Sequence, residues 1–135
     1  MKIGTGEIAA CASTPVYDPD RLAEAISRED SPFLNRAFSA YSVGSVFKIV
    51  TAAAALEHDI PVKFMYECDG DISVYGQHFR CHKWNGHGLL DMQLAMIQSC
   101  NPYFISLSQR MTPEMMHDTA EALGFGQQNV LANDL

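Results

Sequence analysis

The stretch Ile49 to Leu56 constrains this chain most: isoleucine, valine, threonine, four alanines and leucine in succession. With Phe47 it gives a largely apolar helix from Ser45 to His58, preceded by Gly44 and ended by His58-Asp59-Ile60-Pro61. Being apolar on most sides, the helix is expected to be buried, so the remaining sequence must wrap around it. It is far shorter than the roughly 20 apolar residues that a membrane span requires.

Around this helix the expected order is one strand followed by several helices, mainly α with a small β portion and no internal repeat. Thr5 to Ser13 mixes small and apolar residues and stops at Thr14-Pro15, which reads as a strand. Pro15 to Asn35 reads as a surface connection with a short helix within Arg21 to Arg28. Glu67 to Gly88 combines four glycines with Asp69, Asp71, Asn85 and scattered aromatics and reads as a loop or short hairpin. Leu89 to Gln98 places Leu90, Leu94 and Ile97 at helical spacing, with Met96 added to that face. Pro102 suits the first turn of a helix over Tyr103 to Met111. Thr112 suits the cap of a last helix that starts at Pro113 and stops at Gly124.

The 135 residues fit one domain or a fragment of a larger one, and 47% apolar against 19% charged residues is a globular balance. The net charge of -7 includes nine basic residues that never cluster, which argues against nucleic acid or a polybasic lipid contact. Met1-Lys2-Ile3 runs directly into Gly4-Thr5-Gly6, so no signal peptide is expected ahead of the first element. Either the protein stays in the cytoplasm or this segment has been cut from a longer chain. The four cysteines do not settle the redox compartment.

Chemistry enters with Gly44-Ser45-Val46-Phe47-Lys48. A serine at the start of a helix and a lysine three residues on share one face, so hydroxyl and amine can meet. A lysine desolvated by Phe47, Ile49 and Val50 loses its proton more readily and can activate the serine. On its own the motif reads first as a serine cap beside a solvated lysine. A second motif, Ser99-Cys100-Asn101, follows a helix 54 residues downstream of Ser45. S-x-x-K followed by S-x-N is the order of the first two motifs of penicillin-binding proteins and serine β-lactamases.

Beyond these motifs the text resembles the transpeptidase domain of class B penicillin-binding proteins. The matching stretches are Thr5-Gly6-Glu7-Ile8, Ala12-Ser13-Thr14-Pro15, Asn35-Arg36-Ala37, Gly44 to Lys48, His87-Gly88 and Ser99 to Phe104, spanning about residues 5 to 126. The resemblance implies part of the α+β penicillin-binding and serine β-lactamase-like fold, the helical subdomain around the Ser-x-x-Lys helix. It implies D,D-transpeptidation of a peptidoglycan stem peptide ending in D-Ala-D-Ala, with acylation by β-lactams at the same oxygen. Ser45 would be the nucleophile, with its N–H in the oxyanion hole, and Lys48 the general base. Ser99 would relay a proton to the leaving amine, and Asn101 would bind the substrate amide and orient Lys48.

No lysine follows Lys83, so the family's third motif, Lys-Thr/Ser-Gly, is missing. Residues 1–135 are therefore expected to be a partial transpeptidase domain, lacking the amino-terminal domain, the membrane anchor and the carboxy-terminal Lys-Thr-Gly region, with little or no activity alone. The parent protein would sit at the extracytoplasmic face of the bacterial membrane, in a cell-wall synthesis complex. A β-lactam-sensing or degenerate penicillin-binding module is the alternative. A serine β-lactamase would also need a deacylating glutamate, and Glu114 and Glu121 are poorly placed for one.

Cys68, Cys81, His87 and Cys100 have the spacing C-x12-C-x5-H-x12-C. Three thiolates and an imidazole make a closed structural zinc shell, and some elongation-type class B enzymes that this chain resembles carry such a site. His82 is a substitute ligand. A Cys68–Cys81 disulfide, permitted by the family's location, and plain buried thiols are the other readings. Trp84, Tyr66, Tyr75 and Phe79 are expected to cover this loop, and Met92, Met96, Met111, Met115 and Met116 to fill the core.

Overall fold

A computed structural model describes residues 1–61 and 63–127, in two compact units, Met1–Ser42 and Val43–Leu135. The first unit holds a 3-10 turn, Pro19–Arg21, that leads into α1, Leu22–Ile26. The Asp18 carboxylate caps the turn by accepting from the Asp20 N–H at 3.0 Å. Polar contacts do most of the tying. Ser13 Oγ donates to the Leu34 carbonyl and accepts from the Arg36 N–H, each at 3.1 Å, and Arg28 pairs with Asp30. The strand expected over Thr5 to Ser13 does not form. Its residues are almost all exposed, and no strand occurs in this unit to hydrogen-bond with them.

In the second unit a 3-10 turn, Gly44–Val46, enters α2, Phe47–Glu57, which packs against α4, Asn101–Ser108, and α5, Pro113–Ala122. The alanines serve that packing: Ala52, Ala54 and Ala55 are buried and let neighbouring helices approach closely. Ala52 and Ala55 join Leu90, Met92, Ala95, Tyr103, Phe104 and Leu107 in one core, which also takes in Cys68, Cys81 and Cys100. Leu107 is wholly buried, and truncation to alanine would cost about 2–5 kcal/mol. Tyr103 is equally buried, and its hydroxyl donates to the Phe64 carbonyl at 3.1 Å. Thr119, also buried, joins α5 to α2 by donating to Glu57 Oε2 at 2.6 Å.

Burial of α2 is one-sided rather than complete. Ile49 and Leu56 are 57% and 52% exposed, because the packed helices cover only the face that carries Val50, Thr51 and Ala54. Met96 and Met111 pack on the core, while Met115 and Met116 are half-buried.

The β portion is larger than one strand. β1, Tyr66–Cys68, pairs antiparallel with β4, Gly88–Leu90, and β2, Asp71–Val74, pairs with β3, Gln77–Arg80. Tyr75 and Gly76 join β2 to β3 with φ of 49° and 78°, the two positive angles of a type I′ hairpin turn. Where β1 and β4 run into the intervening loop, the backbones cross. A Cβ on Gly70 would stand 2.1 Å from the Trp84 carbonyl oxygen, and one on Gly86 2.1 Å from that of Cys68, with φ of +115° and +76°. Only glycine fits either place.

The helix expected from Leu89 starts later, as α3, Met92–Ile97, because Gly88 to Leu90 are held in β4. Asp91 caps it by accepting from the Leu94 N–H at 2.8 Å. The buried residues are then Met92 and Ala95, three apart, whereas Leu94 and Ile97 are exposed, reversing the expected face. Trp84 and Tyr75 do not cover the loop, being 86% and 98% exposed. Tyr66 packs on the core, and Phe79 faces a cavity.

Candidate active site and thiol cluster

Two sharp chain reversals set the site. Gly44, at φ +53°, turns the chain into the 3-10 turn that carries Ser45, one helical step before Lys48 on α2. Between α3 and α4, Ser99 adopts φ +49°, a left-handed conformation uncommon for a non-glycine residue, and Pro102 lies in the first turn of α4. Ser99 thereby turns both its hydroxyl and its carbonyl to Lys48, at 2.9 and 2.7 Å. Lys48 Nζ also reaches Asn101 Oδ1 at 2.7 Å and Ser45 Oγ at 3.2 Å, and Ser99 Oγ donates to Ser45 Oγ at 3.2 Å. Ser45, Lys48, Ser99 and Asn101 are thus one hydrogen-bonded group. Desolvation holds the Lys48 amine below the usual lysine range, opposed in part by the nearby Cys100 and Cys81.

The sequence reading missed Arg80. Its main-chain carbonyl accepts from Asn101 Nδ2 at 3.0 Å, which fixes the amide so that Oδ1 faces Lys48. No side-chain signal marks a carbonyl, and only the hairpin register brings this one to Asn101. Lys48 and Asn101 line an open cavity of about 530 Å³ with Phe47, Phe79, Arg80 and Phe104.

Behind it, ligand atoms of Cys68, Cys81, His87 and Cys100 lie within 4.8 Å of one another, the three thiols free and buried. His87 Nδ1 is 3.4 Å from Cys81 Sγ, and its Nε2 is buried without a hydrogen-bond partner. His82 lies outside the group, its ring 5.1 Å from that of His87. Burial pushes the Cys81 thiol up, but N–H groups of Lys83 and Asn101, with the Cys68 and Cys100 thiols, outweigh it and hold Cys81 below the usual range. Cys100 is pushed up to about 12, chiefly by burial. Three convergent thiols beside an imidazole with an orphaned ring nitrogen suit a four-coordinate zinc ion.

A helix-borne serine hydrogen-bonded to a lysine three residues on is an arrangement for nucleophilic catalysis. The chain belongs to the family of the penicillin binding protein transpeptidase domain, which it matches over residues 1–134. It is 38% identical over 132 residues to Stage V sporulation protein D of Bacillus subtilis, covering 94% of this chain and 20% of that protein. It is 31% identical to the peptidoglycan D,D-transpeptidase MrdA of Acinetobacter baumannii, covering 91% and 20%.

Among solved structures, the imipenem acyl-enzyme complex of penicillin-binding protein A from Mycobacterium tuberculosis matches with a TM-score of 0.77 at 25% identity, over 85% of this chain and 31% of that one. The complex of Helicobacter pylori PBP2 with MreC matches with a TM-score of 0.72 at 27% identity, over 82% and 21%. The fold is accordingly that of part of such a domain, mainly helical with small sheets. The chain spans about a fifth of the length of the curated relatives described here.

Proposed function

We propose that this chain carries the serine–lysine half of the catalytic centre of a peptidoglycan D,D-transpeptidase. The observation that carries the reading is the Lys48 amine, within hydrogen-bonding distance of Ser45 Oγ, Ser99 Oγ and Asn101 Oδ1 together. Lys48 Nζ lies within 3.2 Å of four oxygens, the Ser99 carbonyl included, and as a neutral amine it has two protons and one lone pair to share among them. The longest contact, to Ser45, is where the lone pair of a neutral amine takes the hydroxyl proton. Ser45 Oγ then attacks the carbonyl between the two D-alanines, the C–N bond breaks, and Ser99 passes a proton to the departing amine. The acyl group leaves Ser45 for the amine of a second stem peptide. Asn101 holds Lys48 in place and offers its remaining amide proton to the substrate.

The absence of a Lys-Thr/Ser-Gly motif and the one-fifth span support reading residues 1–135 as a partial domain of a longer enzyme, which would be membrane-anchored. That enzyme would work at the extracytoplasmic face of the bacterial membrane, within a cell-wall synthesis complex. The neighbour solved as an imipenem acyl-enzyme complex and the one solved in complex with MreC support β-lactams and a protein such as MreC as its partners. Zinc would be held by Cys68, Cys81, His87 and Cys100, where four protein ligands leave a bracing ion with no open position.

Fluorescent penicillin tests the reading. Extended to the length of its relatives, the protein is expected to be labelled at Ser45 and Ser45→Ala to abolish labelling, whereas labelling that survives the substitution would overturn the assignment. The 135-residue chain alone is expected to stay unlabelled, since loss of even one oxyanion donor costs roughly 3 kcal/mol in acyl-transfer enzymes. For the metal, elemental analysis of protein purified under reducing conditions without chelator is expected to find one zinc per chain, and a metal-free result would remove it.

A further inference from the structure

The two-residue turn at Tyr75 and Gly76 fixes the hydrogen bonding along the hairpin. Val74 and Gln77 close it as a bonded pair, and from there non-bonded and bonded pairs alternate. Ser73 with His78 and Asp71 with Arg80 are therefore non-bonded pairs, and Ile72 with Phe79 is a bonded one. The next step keeps the alternation, since the Cys81 N–H donates to the Gly70 carbonyl at 2.8 Å. In a non-bonded pair the main-chain groups turn away from the partner strand, so those of His78 and Arg80 lie on the outer edge of β3. The Arg80 carbonyl is found there, accepting from Asn101 Nδ2 at 3.0 Å.

Three main-chain groups are left on that edge: the His78 N–H, the His78 carbonyl and the Arg80 N–H. Among the described residues, none of them is hydrogen-bonded to anything outside the hairpin. β3 pairs with β2 alone and is exposed along its whole length. An open strand edge is a template for one more strand. This edge borders the reactive group, because His78, Phe79 and Arg80 line the same cavity as Lys48 and Asn101.

We propose that the outer edge of β3 is a main-chain docking rail, on which an extended peptide adds as a third strand and is led to the serine–lysine group. Main-chain hydrogen bonds then supply the hold, whatever side chains the peptide carries. The rail ends at Asn101, which occupies the Arg80 carbonyl and keeps one amide proton for the peptide. His78 lies two residues, roughly 7 Å, further out, and so meets the residues ahead of a D-Ala-D-Ala end. That the occupant is such a peptide rests on the transpeptidase reading; that the edge is open rests on the hairpin register.

The test is a titration of the 135-residue chain with acetyl-L-Ala-L-Ala-D-Ala-D-Ala, followed through backbone amide resonances and amide hydrogen exchange. Exchange at His78 and Arg80 is expected to slow as the peptide saturates, while Gln77 and Phe79, already bonded across the hairpin, change little. His78→Pro removes the outward N–H, which a strand edge tolerates, and His78→Ala loses the same imidazole but keeps that N–H. The proline variant is expected to bind about three- to tenfold more weakly than the alanine variant, the scale of one hydrogen bond. Exchange in the unaltered chain decides the matter even where His78→Pro does not fold. Equal binding by the two variants, or shifts at Ser45 and Asn101 without slowed exchange at His78, overturns the rail and leaves the transpeptidase reading standing. Slowed exchange at His78 and Arg80 that grows with protein concentration in the absence of peptide assigns the edge to a second copy, and also overturns it. If no resonance around Ser45 and Asn101 shifts, both fall.

Discussion

The serine–lysine group and the thiol–histidine group share the tripeptide Ser99-Cys100-Asn101, whose outer residues serve one and whose middle residue serves the other. In the first group the donors and acceptors are nitrogen and oxygen, partly open to solvent, and Lys48, Ser45 and Ser99 each make at least two hydrogen bonds within it. In the second the polar atoms are mostly sulfur, the cysteines are buried, and one imidazole nitrogen has no partner. Thiols are weak donors and weak acceptors, so three of them cannot satisfy one another as a lysine, two serines and an asparagine can. A polar group of the first kind is complete from the chain itself, whereas one of the second kind would be completed by a cation.

The largest effect expected from this contrast is on metal removal. Chelation of the zinc-loaded chain should lower its thermal midpoint by roughly 10 °C or more, because binding free energy at such a site is folding free energy. An unchanged melting curve would break the comparison.

Next comes Gly86→Ala, which forces a Cβ against the Cys68 carbonyl at a positive φ. It should cost about 3 kcal/mol in chemical denaturation and reduce zinc content together with stability. Zinc content unaffected by this substitution would mean that the crossing does not position the ligands.

A smaller change sharpens the other side. Asn101→Asp keeps an acceptor for Lys48 but meets the Arg80 carbonyl with oxygen instead of N–H. It should destabilise by about 1–2 kcal/mol, close to Asn101→Ala. If the aspartate variant matches the parent, the Arg80 contact is dispensable.

Smallest is the titration of Lys48, whose ammonium should lose its proton at a lower pH than an ordinary lysine because burial disfavours the charged form. Nitrogen-15 resonances of the side-chain amines measure this, and a Lys48 titration in the ordinary range would show that the site is solvated.

Much of the helical frame was readable from sequence, and the reasons are local. Thr112 and Pro113 mark a helix start by capping chemistry, and Thr112 Oγ1 does accept from the Met115 N–H at 3.4 Å. The alanines of α2 declare a close-packed helix, although not which face is packed, since that depends on where α4 and α5 fall. The face of α3 was misread because Leu90 looks helical by spacing while Gly88 and its neighbours pair with β1, a contact about 20 residues away. Ser45 and Lys48 were visible as a three-residue step, whereas their bonds to Ser99 and Asn101 span more than 50 residues and needed the fold. Arg80 was out of reach because it acts on Asn101 through its backbone.

The tight turn at Tyr75 and Gly76 has a practical side. Its tyrosine ring is almost wholly in solvent, and the hairpin it closes ends at Arg80 and Cys81, beside both groups. A fluorophore attached at residue 75 would ride at the tip of a lever whose base touches Asn101 and the thiols. Its anisotropy would report on the seating of that base without a label near any reactive atom, giving a readout that needs neither substrate nor antibiotic.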